Sequence, residues 1–440
     1  MIGLGVRCCR KVMGHSVDKF KQVAGFIMVS VGLTAAINAE INLELNQAST
    51  GKIPIAVKAS RYNNGSNVAE IVKIVSKDLG YSEKIKVLTA KKELNKAEFV
   101  VNITERAKDK AKHQPVFCME MSYPFQKNFK KEGDSFCLEA SGGQLRQVSH
   151  QFADKVHRHI TGKGNVFTHR IGYVKESGSG KSKRYQIISS DFDRYGEQVL
   201  LESSAPIMSL SFSPNGKQLA YVSFEEGVSR IYIQEVATGS RSIIAKFQGV
   251  NSAPSWSPDG KKMAMALSFS GVTKLYIMDI QEKTLTKVTS GKSIDTEPYW
   301  VKDGSRIVFS SNRTGSPQIH EYSFKTKRIS QLTHHGQYNV APQMTSDGRF
   351  LIYLTRIDRK LQIVAQDLKT NVVRYLGNGN FDDTPRVSPT DGLILYTTAG
   401  KGVRSMLAIV SIDGVVKVPM EENGVSLKYP SWSPVSDRVH

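Results

Sequence analysis

Two carboxylate pairs are the first candidates for chemistry: Asp295 with Glu297, and Asp382 with Asp383. Carboxylates this close can divide acid and base work, share a divalent cation, or complement a cationic protein surface. Nothing beside them supplies a nucleophile or a base, so the third use fits best. Gly180-Lys181-Ser182 matches the end of a phosphate-binding loop, but Lys175 stands where that loop needs glycine, and the segment reads as a hairpin. No Gly-x-Ser-x-Gly elbow occurs. His157-Arg158-His159 and His334-His335 lack partners at metal-ligand spacing and read as surface or core histidines. Neither a catalytic residue, a metal nor a cofactor is expected. Trp256, Trp300 and Trp432 read as core between repeats rather than as sugar-stacking platforms.

The carboxylates sit at fixed places in a repeat. The turn Phe212-Ser213-Pro214-Asn215-Gly216-Lys217 returns as Trp256-Ser257-Pro258-Asp259-Gly260-Lys261. It recurs more weakly as Trp300-Val301-Lys302-Asp303-Gly304 and Met344-Thr345-Ser346-Asp347-Gly348. Its Asn or Asp falls at 215, 259, 303, 347 and 391, a step of 44. Pro, Asn/Asp and Gly in that order suit a type I turn closed by a residue at positive φ. Ile187, Ile231, Leu275, Ile319, Ile363 and Leu407 repeat the step independently, within β-rich runs. A step of this size marks four-stranded propeller blades. The expected fold is mostly β: a six-bladed β-propeller of 44-residue repeats over 166–440, preceded by a small α/β domain over 48–160.

The first blade lacks the Trp-Ser-Pro strand before Ile171, while the chain ends with an unpartnered one, Tyr429-Pro430-Ser431-Trp432-Ser433-Pro434. The C-terminal strand is therefore expected as the innermost strand of blade one, leaving neither end as a free edge. Polar loops precede the inner strands at 249–254, 293–298, 337–342 and 380–385. Sharing one repeat position, they must crowd one mouth of the channel, where a propeller presents a binding surface. Between 48 and 160, helix-period patterns over 67–79 and 144–160 alternate with strand-like runs at 85–88 and 99–103.

The 440 residues suggest two or three domains, and the formal charge is +20. Basic residues are dispersed without interleaved aromatics, which describes a solvated surface and not a nucleic-acid groove. Residues 1–39 read as a secretory signal: Arg7, Arg10, Lys11, Lys19 and Lys21, an apolar run over 23–33, then small residues to Ala39. The apolar run is short for a membrane span, and no second one follows. An uncleaved anchor is the alternative, and translation can start at Met1 or Met13. Cys8 and Cys9 leave with the signal. Cys118 and Cys137 remain, an even pair that reads as a disulfide in an oxidising compartment or as two buried thiols. Over 40–47, Ile41, Leu43 and Leu45 alternate with polar residues. That period suits a mobile arm that adds to a partner's sheet, but on pattern alone an ordinary first strand is the choice.

The sequence resembles the TolB family, the periplasmic propellers of the Tol–Pal system of Gram-negative bacteria, over nearly all of the exported chain. The carriers are the turns in register, Thr296-Glu297-Pro298, Phe381-Asp382-Asp383-Thr384-Pro385 and the terminal Tyr429-Pro430-Ser431-Trp432-Ser433-Pro434. The resemblance implies a monomeric, non-enzymatic periplasmic adaptor that supports outer-membrane integrity and cell division. It implies that the lipoprotein Pal binds the propeller mouth, with Val250, Asn251, Ala253, Thr296, Glu297, Asn339, Asp383 and Thr384 as contacts. It also implies that Glu40, Ile41, Asn42, Leu43, Glu44, Leu45 and Asn46 form an arm offered to TolA, in place of a first strand, with other envelope proteins as further partners. The turns at 303 and 347 depart from the pattern by lacking Pro, and residues 84–131 match poorly. Two competing readings are a hydrolase or lyase using the rim carboxylates, and a carbohydrate-binding propeller on the cell wall. The enzyme needs a convergent His, Ser or metal that the sequence does not offer.

Overall fold

The structure, a computed structural model, describes residues 51–60, 65–106, 114–124, 135–164, 166–377, 381–399 and 404–434. The signal over 1–39 and the arm over 40–47 lie outside the described residues. The chain opens with β1 (Ile53–Ala59), α1 (Ser66–Leu79), β2 (Ile85–Val87), β3 (Phe99–Arg106), β4 (Val116–Ser122), β5 (Phe136–Glu139) and α2 (Leu145–Thr161). One sheet has the order β2-β1-β3-β4-β5, with β1 parallel to both neighbours and the other pairs antiparallel. Helix α1 places Val68, Ile71, Val75 and Leu79 on its buried face, the 3.6-residue period of an amphipathic helix. Together with Phe152 and Val156 of α2 they cover Ile55, Val101, Ile103 and Phe117 of the sheet. Helix α2 ends where Gly162 takes φ 70° and returns its N–H to Arg158, a left-handed cap that favours glycine.

This core runs on into the β-region through Val166, Phe167, Ile171 and Phe192. Asp154 of α2 fastens the connection. Its carboxylate accepts the N–H groups of Val166, Phe167 and Thr168 at 2.6, 2.9 and 3.1 Å and the Thr168 hydroxyl at 2.6 Å.

From Arg170 on, strands of three to eight residues fold into antiparallel sheets. Among the described residues four of these sheets have four strands each, and one has eight. The eight-stranded sheet consists of two antiparallel halves that meet at a single parallel pair, Leu361 with Phe381. The turns behave as their residues dictate. Asp259 accepts the Ser257 hydroxyl at 2.6 Å and the Lys261 N–H at 3.0 Å, while Gly260 takes φ 71°. Thr345 and Asp347 reproduce the hydroxyl bond at 2.6 Å, so the turn survives without proline.

The C-terminal strand Ser426–Ser433 pairs antiparallel with Arg170–Ser177, from Ser426 opposite Glu176 to Ser433 opposite Arg170. It thus heads the sheet that continues with Arg184–Asp191 and Gln198–Ser203. Its flanks are bonded on both sides. Trp432 Nε1 donates to the Arg386 carbonyl at 2.9 Å, and Ser431 Oγ accepts the Phe212 N–H at 3.3 Å.

Cys118 and Cys137 stand opposite each other in β4 and β5, with their sulfurs bonded at 2.13 Å. The bond ties the short edge strand β5 across a sequence separation of 19. Closing a loop of that length contributes about 3 kcal/mol in the chain-entropy account. The double substitution Cys118→Ser/Cys137→Ser is expected to cost about that much in denaturant unfolding, and reduction of the wild type is expected to cost the same.

Candidate functional site

The inner strands Ile207–Phe212, Asn251–Trp256, Asp295–Trp300, Asn339–Met344, Phe381–Val387 and Ser426–Ser433 all contribute to one cavity of about 470 Å³. Each strand carries a register shift midway along its pairing. At or beside each shift one non-glycine residue takes positive φ: Ser209 57°, Ala253 52°, Glu297 52°, Ala341 54°, Thr384 47° and Tyr429 52°. Such backbone costs on the order of 1–3 kcal/mol per residue and persists only where the surroundings impose it. Five of the six precede proline, which steers its predecessor away from the right-handed helical region.

The bulges sort the lining into layers. Below them, toward the turn end, Ser211, Ser255, Tyr299, Gln343, Arg386 and Ser431 form a floor. In the bulge layer Glu297 accepts the Ser310 hydroxyl at 2.6 Å and the Ala341 N–H at 2.9 Å, both on Oε2. Asp383 lies one residue before the Thr384 bulge. Burial pushes its carboxyl above the usual range, and the Glu297 charge adds to the rise. Burial pulls the Arg386 guanidinium below its ordinary value, against the pull of Asp383 and Glu297. The Tyr299 hydroxyl is raised by burial to about 12 and donates to the Met344 carbonyl at 3.2 Å.

Above the bulges, Asn251, Asp295 and Asn339, each first in its inner strand, and Asp382, second in its own, are wholly buried. The sequence reading set Asp295 and Asp382 on the rim; the structure puts both inside, because their oxygens anchor loops. Asp295 accepts Lys274 Nζ at 3.0 Å, Ser311 Oγ at 2.6 Å and Arg313 at 2.9 Å. Asp382 accepts the Thr398 hydroxyl at 2.8 Å. Asn251 donates to the Phe247, Gly249 and Ser229 carbonyls, and Asn339 to His335 O and Gln318 Oε1. The Asn251 and Asn339 side chains are thus consumed in holding loops. Three of the four buried residues have a preceding neighbour that faces out, Val250 47 % exposed, Ile294 49 % and Phe381 48 %, while Tyr338 before Asn339 is half-buried. Ala253, Thr296, Asp383 and Thr384 are half-buried at the same end. Sequence reasoning found Val250 but missed Ile294, Phe381, Tyr299 and Arg386. The signal lay in two repeat positions, the residue before the buried Asn/Asp and the residue before the inner-strand Trp.

The family model of the TolB beta propeller domain matches residues 157–436. The chain belongs to the TolB family. A relative described as Tol-Pal system protein TolB, from Methylococcus capsulatus, is 46% identical over 436 residues, 95% of this chain and 100% of the relative. One of the same description from Xylella fastidiosa is 31% identical over 226 residues, 48% of this chain and 52% of its own. The crystal structure of TolB from Acinetobacter baumannii shares 27% identity with a TM-score of 0.79, covering 87% of this chain and 97% of that one. The fold is thus mostly β and TolB-propeller-like, with an N-terminal α/β region.

A second charged cluster joins the two regions of this TolB-family chain. His150, Asp191 and Asp193 bring three metal-type donor atoms within 4.8 Å of one another. Arg146 already spans both carboxylates, at 3.0 Å to Asp191 and 2.6 Å to Asp193, and Lys77 reaches Asp193 at 2.8 Å. Side-chain cations therefore supply the charge that an ion would bring, and the cluster reads as a joint. His157 is buried against Phe167, with ring centroids 5.5 Å apart, and His159 meets the Tyr123 hydroxyl at 2.5 Å. Lys181 and Ser182 lie in a short 3₁₀ turn of the hairpin between Arg170–Ser177 and Arg184–Asp191.

The joint titrates. Burial raises Asp78 to about 6 against its 2.6 Å bond to His150 Nδ1. Burial alone would lower His150, but Asp191 and Asp78 outweigh it and hold the imidazole at about 9. A histidine raised in the folded state stabilises fully below its unfolded value near 6.5 and loses that contribution as pH rises through about 9. A raised carboxyl acts in the same direction, adding stability as pH falls through about 6. The melting temperature is therefore expected to fall from pH 6 to pH 9.5, and His150→Gln is expected to flatten that slope. The bulges give a separate expectation. Ala253→Gly should change stability by less than about 0.5 kcal/mol, because relief of the left-handed backbone offsets the entropy of glycine. Ala253→Val should cost more than about 2 kcal/mol in the same unfolding measurement.

Proposed function

We propose that the chain is a non-enzymatic periplasmic adaptor of the Tol–Pal system that serves outer-membrane integrity and cell division. The eight-stranded sheet divides at its lone parallel pair, and the 44-residue step runs through both halves, which favours six blades. In this reading residues 1–39 are a secretory signal, 40–47 the arm, 48–160 the α/β domain and 166–440 the propeller. Among the described residues no helix is long and apolar enough to cross a membrane.

The observation that carries the reading is the mouth. Val250, Ile294 and Phe381 expose apolar side chains at equivalent places around it, with Glu297 and Asp383 beneath. Apolar side chains around partly desolvated carboxylates suit a protein surface. Val250, Ala253, Thr296, Glu297, Asp383 and Thr384 are the proposed Pal contacts, with Asn251 and Asn339 acting through the loops they hold. Residues 40–46 are the proposed TolA arm, and among the described residues no histidine, cysteine or lysine bonds to Glu297 or Asp383.

The test is capture from envelope extract. Wild type is expected to recover a Pal-like lipoprotein, and Val250→Asp with Phe381→Asp is expected to lose it at unchanged melting temperature. Removal of 40–47 is expected to abolish recovery of TolA alone. Retention of the lipoprotein by the double variant would overturn the mouth assignment.

A further inference from the structure

The channel floor holds a charge that the adaptor reading does not use. Arg386 lines the cavity from the middle of its strand, and among the described residues no carboxylate comes within 4.0 Å of its guanidinium. Nη1 donates to the Pro385 carbonyl at 3.1 Å, and the other guanidinium nitrogens make no bond among the described residues. Around it the floor is hydroxyl and amide: Ser211, Ser255, Ser431, Tyr299 and Gln343. A planar guanidinium, with the Ser211 and Ser255 hydroxyls on the same floor donating no bond among the described residues, fits a carboxylate, which it grips through two parallel bonds.

The layers above carry the opposite sign. Glu297 keeps both of its bonds on Oε2, leaving Oε1 without a bond among the described residues. Asp383 takes only the N–H of Thr384, at 2.7 Å. These two carboxylates would repel a simple anion on its way to Arg386, and they attract a cationic group at their own level. From Asp383 to Arg386 is three residues of bulged strand, roughly 7–10 Å at the strand rise. The ends of an extended peptide of two or three residues are separated by about the same distance. The cavity, about 470 Å³, lies within the range of small-ligand sites.

We propose that the channel is a binding site for a short zwitterionic peptide, with its C-terminal carboxylate on Arg386 and its ammonium group between Glu297 and Asp383. The site shares Glu297 and Asp383 with the proposed partner surface but adds Arg386 and the floor below them, and its test does not depend on the identity of any protein partner. Each end of the ligand answers a charge that the protein leaves without a counter-ion in contact. The strained bulges between the two levels hold the spacing between them.

The experiment is calorimetric titration of the full mature chain with trialanine, its C-terminal amide and its N-acetyl form. Trialanine is expected to bind, and the amide to bind at least about tenfold more weakly. The N-acetyl form is expected to lose affinity too, because it has no ammonium group for the carboxylates. Arg386→Gln should reproduce the loss on amidation, and Arg386→Lys should fall between, since a point charge replaces the fork. Equal binding of acid and amide to the wild type overturns the proposal, as does no binding of trialanine below about 10 mM. Because the amide comparison uses the wild type, a folding defect in the arginine variants leaves the decision intact. Capture of the lipoprotein by Arg386→Gln should be unchanged, which separates this site from the rim.

Discussion

The pairing of the C-terminal strand with Arg170–Ser177 is the constraint on which the β-region depends. It joins segments about 250 residues apart, as the Lys428–Glu176 ion pair at separation 252 shows. Bringing such distant segments together costs loop-closure entropy that grows slowly with length, so the pairing has to be specific more than strong. Its specificity comes from side chains that only this strand could supply. Trp432 reaches the Arg386 carbonyl on one neighbour, and Ser431 takes the Phe212 N–H on the other. Lys175 and Arg194 also bridge Glu197 and Glu422 along the same junction. These pairs are partly exposed, so each contributes little alone. They act together with the Trp432 ring, which packs into the core shared by Ile171, Leu393 and Leu395.

Once the strands are held, backbone strain becomes affordable at a repeated place. Each inner strand turns one residue into the left-handed region and moves its following residues round the channel. A regular strand would put alternate side chains on opposite faces of a blade. The bulge breaks that alternation, so that the consecutive residues Glu297, Pro298, Tyr299 and Trp300 all line the cavity. The channel therefore carries chemistry because its strands are irregular.

The repeat, the terminal clasp and the α/β region were legible because each rests on a local rule repeated many times. Turn chemistry at 215, 259, 303 and 347 and the 44-residue apolar series both survive substitution of any one member. Helices over 66–79 and 145–161 matched their apolar period within a residue of the expected bounds. The site was less legible. A carboxylate at 295 and one at 297 look alike in sequence, yet the bulge that begins at Glu297 leaves Asp295 in the core and Glu297 in the channel. Arg386 was invisible because it is distinctive only against its repeat partners Ser211, Ser255, Tyr299, Gln343 and Ser431. The joint at His150 was invisible for another reason: Arg146 and His150 reach Asp191 and Asp193 only when the two regions dock.

Equivalent positions then take different chemistry for local reasons. Asn251, Asp295, Asn339 and Asp382 all tie a loop to the start of an inner strand. An amide can do this alone, since it both donates and accepts. At Asp295 the sequence supplies Ser311, Arg313 and Lys274, and their bonds hold the carboxyl below its usual range despite burial. Among the described residues no cation contacts Asp382, and burial leaves it raised. Gly377 gives that carboxylate its room, because a Cβ there would fall 1.7 Å from Asp382 Oδ2. Buried ion pairs such as Lys274–Asp295 add little net stability but penalise any register that separates them. The repeat thus keeps one geometric duty at each position while the neighbouring residues decide whether an amide, a paired acid or a lone acid performs it. The same freedom at the floor position admits a single arginine among serines, and with it a channel whose two ends differ in charge.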